Sequence, residues 1–96
     1  MQIEFHFQEG FTGQAVTIMA EGTVLAELIA QTSLMTGLAE IVPLELRDGE
    51  EVWLRVGDDP ALTERVSIDT SNPFVTIRME EDGLHVEQVN RRPGYL

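Results

Sequence analysis

The 96-residue chain has one domain's length, and its 43% hydrophobic residues can bury on the order of 60–65% of the unfolded surface. It has no cysteine, which excludes disulfides, thiolate metal sites and thiol nucleophiles, and it has no apolar run long enough to span a membrane. Seventeen acidic residues stand against six arginines and no lysine, and the net charge of −11 argues against binding nucleic-acid phosphates while leaving room for a basic partner.

In chain order, Ile3, Phe5 and Phe7 alternate with Gln2, Glu4, His6 and Gln8, a period-two strand with one apolar face. Met1 leads directly into this strand rather than into a basic-then-apolar leader, so a cytoplasmic location is expected. The turn Glu9-Gly10-Phe11-Thr12-Gly13 feeds a second strand over Gln14 to Ala20. Behind Gly22 and a Thr23 N-cap, Val24, Leu25, Leu28, Ile29, Thr32 and Met35 have the spacing of one helical face, so a helix is expected over 23–36, ended by Gly37.

Leu44 to Leu46 and Val52 to Val56 flank Arg47-Asp48-Gly49-Glu50 and read as a second hairpin. Asp58-Asp59-Pro60-Ala61-Leu62 reads as a turn, and Val66 to Ile68 leads to a break at Asn72-Pro73. Phe74 to Glu80 and Leu84 to Val89, joined by Asp82-Gly83, form a third hairpin. The polar end, Asn90-Arg91-Arg92-Pro93-Gly94-Tyr95-Leu96, is expected to project as a mobile tail.

Taken together, strand, turn, strand and helix resemble the front half of a ubiquitin-like β-grasp. The likeness extends to Met1-Gln2-Ile3, to Thr23-Val24-Leu25-Ala26-Glu27-Leu28, and to Val56-Gly57-Asp58-Asp59-Pro60-Ala61-Leu62 followed by Ile68. The resemblance implies an α+β fold, a mixed sheet with one packed helix, with a β-grasp domain over 1–90 and a flexible tail over 91–96. Two threadings fit the back half. Phe74 to Glu80 lies beside the first strand if the Asp58-Asp59 match governs; Leu84 to Val89 lies there if the tail geometry governs, and the tail geometry is preferred.

For function, the resemblance implies a modifier or carrier precursor of prokaryotic or phage origin, conjugated through Gly94 once Tyr95 and Leu96 are removed. Its partners would be an adenylating enzyme and a processing peptidase. Arg91, Arg92 and Pro93 would form the tail that such enzymes grip, and Phe11 and Leu46 fall at the family's partner-binding positions, where a charged Arg78 or Glu87 interrupts the patch. Absence of lysine would spare the protein from modification on its own side chains.

The alternative is a non-covalent acidic module that binds a basic partner or blocks a nucleic-acid-binding site. Little in the residues points to catalysis: the serines have no histidine in a recognisable motif, no glycine loop cradles phosphate, and the turn carboxylates lack calcium-loop spacing. No enzyme activity, cofactor or metal is expected. His6 and His85 lie on the strand faces opposite the apolar residues and would approach one another only if their strands pair, while Trp53 reads as a core anchor or an exposed interface aromatic.

Overall fold

The computed structural model describes residues 1–57 and 62–95. Its eight strands are β1 (Gln2–Phe7), β2 (Thr12–Ala20), β3 (Thr23–Gln31), β4 (Glu40–Glu45), β5 (Glu51–Val56), β6 (Thr63–Ser67), β7 (Phe74–Glu80) and β8 (Gly83–Val89). They form two four-stranded sheets, ordered β4-β1-β7-β8 and β3-β2-β5-β6. Every pairing is antiparallel except β1 with β7. Alternation explains the layering. Ile3, Phe5, Phe7, Val75 and Ile77 from one sheet and Val16, Ile18, Val52, Leu54, Val56 and Val66 from the other are buried in one shared core. The protein is therefore an all-β sandwich.

The expected α+β β-grasp is overturned, because residues 23–31 form a strand, not a packed helix. Glu21 and Gly22, at φ 46° and 78°, make the two-residue hairpin turn that matches strand twist, and they fold β3 back onto β2. Along β3, Ala26, Leu28 and Ala30 pair with Ile18, Val16 and Gln14, so the apolar residues follow period two. Val24, Ile29 and Met35, which a packed helix would bury, are 50%, 66% and 89% exposed.

The hairpins are also redistributed. β1 and β2 belong to different sheets, as do β4 and β5, so only the third expected hairpin, β7 with β8, forms as read. The Arg47 to Glu50 turn instead carries the chain from one sheet to the other. It is pinned to the next crossover by Gly49 N–H donating to Ile68 O at 2.7 Å and Thr70 N–H donating to Asp48 Oδ1 at 3.0 Å. Pro43 lies inside β4, and an edge strand tolerates a residue that cannot donate to the ladder. Between β1 and β8 lies β7, so the preferred threading is also corrected: Phe74–Glu80 is the neighbour of β1. The Asp58 to Ala61 turn lies outside the described residues.

Candidate functional site

The outer face of the first sheet carries the polar residues of β1, β7 and β8. Strand register places His6 beside Thr76 and Thr76 beside Glu87, with Glu4 beside Phe74 and Arg78 beside His85. His6 and His85 are thus separated by β7 and form no pair. His6 is nevertheless fully buried, because the chain beyond β8 returns across this face and sets Tyr95 on it. The two rings lie 18° from parallel with centroids 5.8 Å apart, and Phe74 meets the imidazole edge-on at 6.1 Å.

A chain of hydrogen bonds explains how a buried histidine is accommodated here. Glu4, as a carboxylate, only accepts, so His6 Nε2–H donates to Glu4 Oε1 at 2.8 Å, and Arg92 Nε–H donates to the same oxygen at 3.1 Å. In the neutral imidazole Nδ1 then accepts from the Tyr95 hydroxyl at 2.9 Å, and that hydroxyl accepts from Gln8 Nε2 at 2.9 Å. The His6 imidazole bonded to Glu4 holds its carboxyl below the usual range; burial opposes this, and Arg92 adds to the lowering. Every buried side-chain nitrogen and oxygen among the described residues has a partner.

The expected projecting tail is therefore replaced, over 91–95, by a segment laid on the sheet and anchored through Arg92 and Tyr95. Arg91, Arg92, Pro93 and Gly94 form one wall of a cleft of about 540 Å³ whose other wall is Gln8, Thr76, Arg78, His85, Glu87 and Val89. A Cβ at Gly94 would meet open space, so this fold does not demand glycine there. Leu96 lies outside the described residues. Two other expected contact residues are in the interior: Phe11 packs edge-on against Phe7 with centroids 5.7 Å apart, and Leu46 is buried. Neither presents a side chain to a partner.

A second cleft, of about 680 Å³, opens where the β2–β3 turn meets the Arg47 to Glu51 turn. Trp53 stands in it, on the outer face of β5, because its neighbours Val52 and Leu54 point into the core. It is thus no core anchor. Around it lie Leu25 and the acidic residues Glu21, Asp48, Glu50 and Glu51, with Arg47 the single cation among the described lining residues. Sequence reasoning missed this grouping because Glu21 and Leu25 reach Trp53 only once 23–31 is a strand. The Glu21-Gly22 pair between two alternating segments was the available signal.

At the β7–β8 turn, His85 Nε2 meets Asp82 Oδ1 at 2.6 Å and Glu80 Oε2 at 3.2 Å. The hydrogen bond that His85 Nε2–H donates to Asp82 raises the His85 pKa and lowers that of Asp82. The three ligand atoms lie close enough to hold a metal ion, and with Glu80 and Asp82 exposed and His85 half-buried they are equally satisfied as ion pairs. Among the described residues no helix is long and apolar enough to cross a membrane. Comparison with family models, with curated proteins and with solved structures gave no match to this chain.

Proposed function

We propose that this protein is a non-catalytic interaction module that receives a cationic group of a basic partner in the Trp53 cleft. The observation that carries this reading is the composition of the lining: one half-buried indole flanked by four carboxylates and opposed by one arginine. An indole face attracts an ammonium or guanidinium, and surrounding carboxylates add directional acceptors and long-range steering. The net charge of −11 works in the same direction at longer range.

The His6 hydrogen-bond chain supports a non-catalytic reading as well. It ends at Gln8 and Arg92 without presenting an activated nucleophile to a cleft, and its central imidazole is sealed from solvent. Conjugation through Gly94 would first require Tyr95 to leave His6 and Gln8, since cleavage after Gly94 needs an accessible, extended backbone.

Tryptophan fluorescence tests the proposal, because Trp53 is the chain's single indole. A hexa-arginine peptide titrated at low salt should change its emission saturably, and raising the salt to about 0.3 M should weaken binding as screening shortens the reach of the carboxylates. Glu50→Gln with Glu51→Gln should weaken it further. Salt-independent binding, or full binding by a Trp53→Leu variant followed calorimetrically, would sink the reading.

A further inference from the structure

We infer that the cleft between the tail and strands β7 and β8 is a binding site for a small hydroxylated anion, a sugar phosphate or a sugar acid. Arg78 and Arg91 would hold its anionic group, and Thr76, Gln8 and Glu87 would meet its hydroxyls. This site is separate from the Trp53 cleft and does not depend on the function proposed for it.

Charge distribution is the first support. In a chain of net charge −11, three of the six arginines, Arg78, Arg91 and Arg92, line this one cleft together with His85, and Glu87 is the only side-chain carboxylate among its described lining residues. Nearby carboxylates differ in how firmly they engage these cations. Glu4 holds Arg92 at 3.1 Å, and Asp82 and Glu80 hold His85, which keeps its imidazole protonated to higher pH. Arg78 reaches Glu80 only at 3.9 Å, and Arg91 has no ion pair among the described residues. Among the described residues these two guanidinium groups are therefore the least engaged and best able to bind an incoming carboxylate or phosphate, and their planar forks suit both.

The rest of the lining fits a hydroxylated ligand. Thr76 and Glu87 are cross-strand neighbours on the outer face, and Gln8 gives one of its two side-chain N–H groups to Tyr95 while its side-chain oxygen remains an acceptor. The lining holds no tryptophan, phenylalanine or tyrosine on which a nucleobase would stack. Its volume of about 540 Å³ matches a small-molecule site and exceeds what a lone inorganic ion would fill. The wall made by residues 91–94 is held in place by the two tail anchors, Arg92 on Glu4 and Tyr95 on His6.

Amide chemical-shift titration of the full chain tests the site, with glucose 6-phosphate and gluconate as the two probes. Glucose and sodium chloride at matched ionic strength serve as controls. Saturable shifts confined to Gln8, Thr76, Arg78, Glu87 and residues 91–94 are expected with at least one probe, and the stronger arm identifies the anionic group as phosphate or carboxylate. Arg78→Gln and Arg91→Gln should each weaken that binding about tenfold or more, the loss expected for a charge-assisted contact. Both arginines are solvent-facing, so the variants should keep the parent spectrum elsewhere. Absence of saturable shifts with both probes, equal shifts with glucose or sodium chloride, or unchanged binding by both variants would overturn the assignment.

Discussion

Tyr95→Phe isolates the contact that decides how the C-terminal segment lies. The substitution keeps the ring and deletes one oxygen, which bridges His6 Nδ1 and Gln8 Nε2 at 2.9 Å each. Gln8 is partly exposed and can turn to water, so its loss is small. His6 is 0% exposed, and its Nδ1 would be left a buried polar atom with no partner. Stranding one buried polar group costs about 1–3 kcal/mol, and that is the destabilisation expected. In urea unfolding the midpoint should fall with the slope unchanged, and each kcal/mol should lower Tm by about 4–8 °C for a domain of this size. An arginine-specific protease should also cut after Arg91 faster in the variant than in the parent, Arg92 being shielded by Pro93. A stability change within the ~0.5 kcal/mol typical of surface substitutions would show that Tyr95 does not seal His6, and the docked-tail argument would fail.

Three further outcomes are expected. Gly10→Ala should destabilise by at least about 2 kcal/mol in the same urea assay, because φ is +92° and a Cβ would overlap the Met79 carbonyl oxygen; a neutral result would refute that close approach. Ile29→Lys and Met35→Lys should each change stability by no more than about 0.5 kcal/mol, whereas loss of more than about 2 kcal/mol would indicate the packed helix that the sandwich replaces. Asp82→Asn should return the His85 titration, followed by NMR, toward the ordinary histidine range. Because the folded His85 pKa is raised, its contribution to stability is fully present below the unfolded value near 6.5 and lost as pH rises through the folded value; a titration unaffected by Asp82→Asn would contradict the ion pair.

Much of the strand content was legible from local pattern. Ile3, Phe5 and Phe7, then Val52, Leu54 and Val56, then Val75 and Ile77 alternate cleanly, and each set is buried as its period requires. Residues 23–36 misled because two periods coexist there. Val24, Leu25, Leu28 and Ile29 satisfy a helix, while Ala26, Leu28 and Ala30 satisfy a strand, and short apolar runs do not discriminate between them. The candidate sites were less legible still. The sequence marks Arg91, Arg92, Pro93, Gly94 and Tyr95 only as a polar end, and the fold lays them against His6, Gln8 and Thr76.

By itself, the sequence determined properties that need no partner in space: the absence of thiol chemistry, the acidic charge, the period-two segments, and tight turns such as Asp82-Gly83. Only the tertiary structure decided which segments meet. β3 is a strand because β2 supplies its ladder across the Glu21-Gly22 turn, and β7 rather than β8 lies beside β1. Tyr95 reaches His6 across 89 positions of chain. The physical reason is common to all three: local sequence sets what a segment can do at small free-energy cost, whereas the choice among near-equal local options is made by non-local hydrogen bonds and burial, which exist only once distant residues are brought together.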